Sequence, residues 1–188
     1  MGGGPELRTE RLLLRRWRPS DREPFAAINA DPVVMEFFPG LQSPQVSAEM
    51  IEHFEQEFER ERFGLWAVEI PGEMQLAGFV GLTRVRAEMP FAPAVEVGWR
   101  LTPSAWGRGI ACEAAEAALD VGFEESGLEE IVSLTAAVNL RSRRLMERLG
   151  MRRDEDGDFD HPLIAPGHPL ARHVLYRLRR ADRTSPES

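Results

Sequence analysis

Residues 97–111 read VGWRLTPSAWGRGIA, and this stretch decides how the whole chain is interpreted. It is typical of a strand, a short loop and a glycine-rich turn that opens a helix. Gly107 and Gly109 allow positive φ angles and a close approach of the backbone to a ligand. The free amides of the next helical turn and the helix dipole attract anions, and a diphosphate is the natural occupant. Cys112 stands where a dinucleotide-binding fingerprint needs its third glycine, so the motif is a different one.

A second strand and helix of the same design follow. Residues 131–138 are predicted to form a strand, and residues 139–149 a helix that Gly150 ends at its C-cap. Asn139 is a good N-cap residue and Ser142 lies in the first turn, and helix capping alone explains both. Two helix N-termini that follow two adjacent strands face one cleft, however. Together they predict a ligand site in that cleft.

Hydrophobic periodicity organises the rest of the chain. The further predicted strands cover residues 11–17, 65–70, 76–82, 94–101, 151–153 and 172–178. The further predicted helices cover residues 21–30, a segment after Ser47, and residues 110–125. These elements predict a single mixed α/β domain over residues 6–180, with about seven strands and four helices. Residues 1–5 and 181–188 are predicted to be disordered ends.

Composition excludes several mechanisms. All 23 basic residues are arginine, and without lysine there is neither a Walker A phosphate loop nor Schiff-base chemistry. Cys112 is the only cysteine, which excludes an internal disulfide and a cysteine-cluster zinc site. A lone thiol suits a reducing compartment, the first residues do not resemble a signal peptide, and no stretch approaches the ~18 apolar residues of a membrane span. We therefore expect a cytoplasmic protein with no membrane partner.

The net charge of −8 bears on the partners of the protein. It disfavours nucleic acid, because binding a polyanion needs a basic surface. Solubility explains the acidity, and attraction of a cationic substrate such as an amine is the alternative. The acidic segment 154–161 lacks the spacing of a calcium loop, so we expect a solvated loop near the substrate and no metal site.

Three motifs, in order along the chain, resemble those of the GNAT acyltransferase superfamily. Residues 7–15 (LRTERLLLR) are similar to the opening strand of its ribosomal-protein N-terminal (alanine) acetyltransferase branch. Residues 106–111 (WGRGIA) match its acyl-CoA pyrophosphate loop, with tryptophan as the first residue. Residues 139–151 match its Asn-x-x-Ser helix and the Gly-Met end of that helix. The resemblance implies a mostly antiparallel seven-stranded sheet that splays between its fourth and fifth strands.

The resemblance further implies that acetyl-CoA is a co-substrate and lies between the two splayed strands. Splaying leaves backbone groups unpaired, and the pantetheine amides satisfy them. The residues implied in binding acetyl-CoA are Val97, Trp99, Leu101, Trp106, Gly107, Arg108, Gly109, Ile110, Ala111, Asn139 and Ser142. The implied reaction is direct transfer of the acetyl group, in a ternary complex, to a primary amine. That amine is either a protein N-terminal α-amine or a small amine.

Glu96 and Ser142 are the catalytic residues that the resemblance implies. Glu96 stands where several relatives carry a glutamate that deprotonates the amine. A solvated glutamate on the sheet face is the alternative, because an unperturbed carboxyl is a poor base at neutral pH. The backbone N–H of Leu101 is expected to polarise the thioester carbonyl. Met146 replaces the tyrosine acid of many members, so either Ser142 takes that role or the thiolate leaves unassisted.

The replacement at Met146 also motivates a second hypothesis, an acyl-CoA-binding sensor or scaffold with little or no turnover. Release of free thiol in the presence of amines distinguishes an enzyme from a sensor. The acceptor, and the choice between a monomer and a homodimer, stay open at this point.

Overall fold

Eight strands and four α-helices make up residues 5–183, the part of the chain that the computed structural model describes. The strands are β1 (Leu7–Arg8), β2 (Leu13–Arg15), β3 (Leu65–Ile70), β4 (Met74–Arg84), β5 (Val95–Leu101), β6 (Glu130–Ala136), β7 (Arg152–Asp160) and β8 (Arg172–Arg179). The helices are α1 (Arg22–Ala30), α2 (Pro44–Glu61), α3 (Ile110–Asp120) and α4 (Leu140–Arg148). A wider helical turn, Val121–Glu125, extends α3. The mixed α/β class is confirmed.

The strands form one sheet in the order β1-β2-β3-β4-β5-β6-β8-β7. Every neighbouring pair is antiparallel except β5 and β6, which are parallel. Strand β5 pairs with β4 along its whole length, but with β6 only where Glu96 lies opposite Val132. Beyond that rung the two strands diverge. The predicted splay is thus confirmed at the predicted pair of strands.

The two faces of the sheet carry different helices. Successive side chains of a strand point to opposite faces, and β5 shows which helices cover each. Arg100 donates a hydrogen bond to Asn29 of α1, so its face of β5 is the one that α1 and α2 cover. The indole N–H of Trp99 reaches Ser142 of α4, so α3 and α4 cover the other face.

An aromatic cluster holds α1 and α2 on their face of the sheet. The cluster consists of Trp17, Phe25, Phe54 and Phe79. Neighbouring ring centroids lie 4.8–6.2 Å apart, a separation at which aromatic side chains attract one another. On the opposite face α3 presents Ala114, Ala115 and Ala118, which are fully buried. Their small side chains let α3 lie close to the sheet.

The sheet has one strand more than predicted. Strand β1 contributes two residues, too few to produce a hydrophobic period, and places Leu7 opposite Leu14 of β2. Strand β7 continues to Asp160, so most of the acidic segment that we expected as a solvated loop is an edge strand. Charged side chains suit an edge strand, which faces solvent on one side. One of them, Asp154, also accepts a 2.7 Å hydrogen bond from Arg177 of β8.

Helix α2 begins about one turn before the predicted start after Ser47. The side chain of Ser43 caps it by accepting a 3.2 Å bond from the amide of Val46, and Pro44 suits the first helical position. Ser47 is instead buried and accepts a 3.0 Å bond from the side chain of Asn29. That bond ties α2 to α1 and fixes Asn29 beside the sheet.

The described chain begins at Pro5 and ends at Arg183. The carbonyl of Pro5 accepts a bond from the indole of Trp66. Arg180–Asp182 forms a short helical turn, after which Arg183 pairs with Asp120. Residues 1–4 and 184–188 lie outside the described residues, and disorder there stays a prediction. No helix within residues 5–183 has both the length and the apolar character that crossing a membrane requires.

Candidate active site

The gap between β5 and β6 presents backbone donors. The amide of Thr102 donates to the carbonyl of Ala77, which sets the phase of the β4–β5 ladder. Bonded residues alternate in an antiparallel ladder, so Trp99 and Leu101 direct their N–H groups away from β4. They point to the side from which β6 has diverged, because the β5–β6 pairing ends at Glu96. These two donors fit the pantetheine amides of acetyl-CoA.

The glycine-rich turn has the conformation that the sequence predicted. Gly107 and Gly109 have φ angles of 70° and 80°, a region that other residues rarely adopt. A Cβ added to Gly107 would meet no atom within 4 Å, so the backbone is open to a ligand there. Gly109 is the N-cap of α3 and supplies no side-chain cap. The first-turn amides, including those of Ile110 and Ala111, therefore suit a diphosphate.

A stacked pair of side chains flanks this turn. Trp106 donates its indole N–H to the carbonyl of Leu101 at 2.9 Å. The guanidinium of Arg141 lies over the Trp106 ring, 3.9 Å from its centroid. Arg141 is in the first turn of α4, where a cation opposes the helix dipole. An arginine in the first turn of a helix is an unfavourable placement, and this signal in the sequence was not used above. In the structure Arg141 places a positive charge beside the predicted anion site.

Two residues predicted to bind acetyl-CoA make other contacts, Arg108 through its side chain and Val97 through its backbone carbonyl. Arg108 donates two bonds, of 2.6 and 2.8 Å, to the carboxylate of Glu73 in the turn between β3 and β4. Only its backbone therefore remains for the diphosphate. Val97 is fully buried, and its carbonyl accepts a 2.9 Å bond from the hydroxyl of Ser133. It thus belongs to the closed part of the β5–β6 contact, and its carbonyl is not open to pantetheine.

Ser142 is oriented by two donors across the mouth of the gap. Its Oγ accepts bonds from the Asn139 side chain at 3.1 Å and from the Trp99 indole at 3.3 Å. A hydroxyl that accepts two bonds keeps its own proton free to donate. Asn139 caps α4 through the Ser142 amide and gives its other side-chain proton to Thr135. Asn139 therefore positions Ser142, and only its oxygen can still accept a bond from pantetheine.

The other candidate acids and nucleophiles are unsuited to the reaction. Met146 is buried in the core, so the place of the family's tyrosine holds no proton donor. The hydroxyl of Tyr176 is buried and donates to Glu147. Burial, reinforced by Glu116, raises the pKa of the Cys112 thiol to about 11, which keeps it protonated and poorly nucleophilic. Within residues 5–183, no three or more His, Cys, Asp or Glu side chains are grouped to hold a metal ion.

Glu96 lies on the face of β5 that α1 and α2 cover, opposite Thr83 of β4. Its Oε1 leans toward Gly98, 3.6 Å from where a Cβ on that glycine would stand. The carboxyl is half-buried and closely surrounded by protein. This desolvation, with the negative charge of Glu57 as the second cause, raises the pKa of Glu96 to about 7. A carboxyl with this pKa can act as a general base near neutral pH.

Glu57 of α2 is a second carboxyl of the site, and the sequence interpretation did not select it. It is only 3% exposed, and the hydroxyl of Thr83 lies 2.7 and 2.9 Å from its two oxygens. Thr83 is the ladder partner of Glu96, so this bond brings the two glutamates together. The available signal was a glutamate between Phe54 and Phe58 on the apolar face of α2.

Comparisons with known proteins agree with this geometry. The family profile described as "Acetyltransferase (GNAT) domain" matches residues 11–152. The chain is 28% identical over 148 residues to the uncharacterized N-acetyltransferase YnaD of Bacillus subtilis (strain 168), covering 79% of this chain and 83% of YnaD. A GNAT-family acetyltransferase structure from Bacillus anthracis is similar at 27% identity and a TM-score of 0.77, covering 94% and 99% of the two chains. Ribosomal-protein-S5-alanine acetyltransferase from Vibrio fischeri shares the fold, with a TM-score of 0.75, 18% identity and coverage of 96% and 100%.

The matched profile and the site geometry point the same way. The profile spans well over half of the chain and includes the glycine-rich turn and α4. The donors of β5 and the turn before α3 fit the pantetheine and diphosphate of one ligand. The chain therefore belongs to the GNAT family of acetyltransferases, and acetyl-CoA is its co-substrate.

Proposed function

We propose that the protein transfers the acetyl group directly to a primary amine, either a protein N-terminal α-amine or a small amine. Acetyl-CoA and the amine are bound together in a ternary complex. The observation that carries the proposal is Glu96, a desolvated carboxyl whose pKa is about 7. It stands at the last rung between β5 and β6, where the gap for acetyl-CoA opens. A base thus adjoins the place where the thioester would lie.

Glu96 removes a proton from the ammonium group of the acceptor. The amine nitrogen then bonds to the carbonyl carbon of the thioester, the carbon–sulfur bond breaks, and the nitrogen loses a second proton to water as the amide forms. An N-terminal α-amine has a pKa of about 8, whereas a lysine side chain has one of about 10. The proton transfer to a carboxyl of pKa about 7 is therefore closer to balance with an α-amine. This difference favours α-amines among protein acceptors.

Two donors stabilise the negative charge that develops on the thioester oxygen and on the departing sulfur. We assign the N–H of Leu101 to the carbonyl oxygen of the thioester, since it points into the gap that β6 leaves open. Ser142 supplies the proton for the departing sulfur, because its hydroxyl accepts two bonds and has its hydrogen free. Asn139 and Trp99 hold that hydroxyl in place and are positioning residues.

Release of free CoA thiol from acetyl-CoA, followed with a panel of amines, tests the proposal. The panel contains peptides with free N-termini, polyamines and small amines, with the same peptides blocked at the N-terminus as controls. We expect thiol release that requires a free amine, and an N-acetylated product by mass spectrometry. Acetyl-CoA binding with no thiol release across the panel would contradict it. So would a labelled acetyl group trapped on Cys112, because the proposal has no covalent intermediate.

Glu57→Gln tests the pair of carboxyls. The glutamine keeps an oxygen for the Thr83 hydroxyl but removes the charge that helps to raise the pKa of Glu96. The acidic limb of kcat against pH is expected to move to lower pH. The midpoint of this rise in kcat should still lie above the pKa of an ordinary carboxyl, because desolvation is the larger cause of the raised pKa of Glu96.

The control for this prediction is Glu61→Gln, which removes a charge from the same helix one turn later. Glu61 pairs with Arg84 at the surface, so this variant should keep the wild-type limb. A limb that does not move in folded Glu57→Gln means that Glu57 does not act on Glu96.

We extend the proposal to the setting of the reaction, a cytoplasmic enzyme that is a monomer or a homodimer. The single thiol of Cys112 supports a reducing compartment. The net charge of −8 weighs against a nucleic-acid partner. Light scattering on the purified protein distinguishes a monomer from a dimer.

A further inference from the structure

One cation near Glu96 has no part in the reaction described above. Arg100 follows Glu96 by four residues on β5, with Gly98 midway between them. Side chains at every second position share a face, so all three lie on the face that α1 and α2 cover. Arg100 is only 9% exposed, so its charge is almost wholly withdrawn from water.

In the part of the chain that the structure describes, Arg100 has no anionic partner of the kind that a buried arginine normally has. Arg15 shows the usual arrangement, since it is buried and donates to the carboxylates of Asp21 and Glu69. Within residues 5–183, Arg100 forms no ion pair, and its Nη1 donates to the neutral side chain of Asn29 at 2.7 Å. Burial lowers the pKa of Arg100 to about 10, so it still carries its charge at neutral pH.

The remaining donors of Arg100 form a fork. Its Nε is buried and has no hydrogen-bond partner among the described residues. The bond to Asn29 engages Nη1, and no hydrogen bond in that part of the chain uses Nη2. The Nε and Nη2 edge of a guanidinium holds a carboxylate or a phosphate by two parallel bonds. The rings of Phe38 and Phe79 lie 4.2 and 5.4 Å from its central carbon and do not take up these donors.

Gly98 leaves room for a small group on the strand between Glu96 and Arg100. Among the described residues, and apart from its two neighbours in the chain, a Cβ added to Gly98 would meet one atom within 4 Å, the Oε1 of Glu96. Phe38 is exposed and lies in the connection between α1 and α2, which puts the guanidinium near the surface. The Cα atoms of Glu96 and Arg100 are about 13 Å apart along the strand. Both side chains are long, so the carboxylate of Glu96 and the guanidinium of Arg100 can contact the two ends of one small molecule that lies between them.

We propose that Arg100 binds an anionic group of the acceptor, a carboxylate or a phosphate, while the amine of the same molecule reaches Glu96. The acceptor is then an amine that carries an acid group, such as an amino acid or an aminoalkyl phosphate. This inference rests on the proposed amine acetylation and adds a substrate class to it. The overall charge of −8 attracts cations, whereas Arg100 selects an anion within the site.

The test compares matched amines that differ only in the acid group. Glycine, β-alanine and γ-aminobutyrate are each compared with their carboxamides, and ethanolamine phosphate is compared with ethanolamine. We expect kcat/KM for the best acid to exceed that of its neutral partner by about 10- to 100-fold, as bonds to a charged group provide. In Arg100→Gln this ratio should fall to near one. Comparing the ratio for the amino acids with the ratio for ethanolamine phosphate shows whether Arg100 prefers a carboxylate or a phosphate.

Arg100→Lys and Arg84→Gln are the matched variants. Lysine keeps the charge without the fork, so an intermediate ratio is expected. Arg84 is exposed and pairs with Glu61, so its replacement removes the same charge elsewhere and should keep the wild-type ratio. Should Arg100→Gln not fold, the wild-type ratio and its change in Arg100→Lys decide the matter.

Calorimetric binding of γ-aminobutyrate and its amide, with unacetylated coenzyme A present, gives a second readout that needs no turnover. The acid should bind more tightly to the wild type by the same ratio. Equal use of acids and amides by the wild type overturns the inference, as does a ratio that survives in Arg100→Gln. Either result leaves amine acetylation intact. Failure to acetylate any amine overturns the proposed function instead, and the calorimetric ratio then decides the role of Arg100.

Discussion

Glu96→Gln is expected to lower kcat by about 100-fold or more and to leave the dissociation constant of acetyl-CoA unchanged. Glutamine keeps the size and the hydrogen-bonding capacity of the side chain but cannot accept the proton of the acceptor. The loss therefore falls on the chemical step. Steady-state kinetics with a fixed amine, together with calorimetric binding of acetyl-CoA, measure the two quantities separately.

The pH dependence of the same variant identifies the group. In the wild type kcat should rise as the pH increases through about 7, because Glu96 must lose its proton before it can accept another. This limb should be absent from Glu96→Gln. High pH should restore part of its activity, because more of the acceptor amine is then neutral. Wild-type turnover by the variant from pH 6 to 9 would show that Glu96 is not the base.

The stability of Glu96→Gln provides its control. Folding raises the pKa of Glu96. The contribution of this carboxyl to the free energy of unfolding is therefore fully present below pH about 4.5 and is lost as the pH rises through about 7. Removing the carboxyl should therefore raise the free energy of unfolding at pH 8 by up to about 3 kcal/mol. At pH 4 no gain is expected. A variant that is more stable and less active at pH 8 has lost a catalytic group and kept its fold.

Gly109→Asp is expected to raise the dissociation constant of acetyl-CoA by about 100-fold or more. The substitution puts a negative charge at the N-cap of α3, where the amides of the first turn would hold the diphosphate. Repulsion between like charges then replaces attraction. A new Cβ would also stand 3.3 Å from a guanidinium nitrogen of Arg11, which already pairs with Glu113. Calorimetric titration of acetyl-CoA measures the change.

Gly109→Asn separates charge from shape. Asparagine has nearly the same shape as aspartate and tolerates the left-handed conformation at φ 80° equally well. The increase in the dissociation constant of acetyl-CoA should be about 10-fold smaller with asparagine than with aspartate. Added salt should bring the two dissociation constants closer together, because it screens the charge of the aspartate. Equal losses in the two variants would mean that no diphosphate binds at this turn.

Much of the fold could be predicted because its signals are local. The glycines at 107 and 109, the N-cap Asn139 and Gly150 each act within a few residues. All three glycines have positive φ, and Gly150 directly follows Leu149, the C-cap of α4. The splay of the sheet was implied by the resemblance to the GNAT superfamily. Strand β1 was not predicted because two residues are too few to show the hydrophobic alternation of a strand. Only its antiparallel pairing with β2 makes it one.

The site was predicted only in part, for a related reason. Glu96 and Ser142 were selected by position in a motif, but nothing near them in the sequence shows how they are held. Arg108 looked like a diphosphate ligand until the chain brought Glu73 beside it. Glu57 looked like one more charged residue of an amphipathic helix until Thr83 placed it next to Glu96.

By itself, then, the sequence determined the turns, the caps and the order of strands and helices, because φ preferences and hydrophobic periods are properties of short segments. Only the tertiary structure decided the electrostatics of the site. The raised pKa of Glu96 and the unpaired Nε of Arg100 depend on atoms from distant segments, such as Asn29, which lies 71 residues before Arg100. Desolvation and charge pairing act through space, so they exist only once packing has excluded water and chosen the neighbours of each charge.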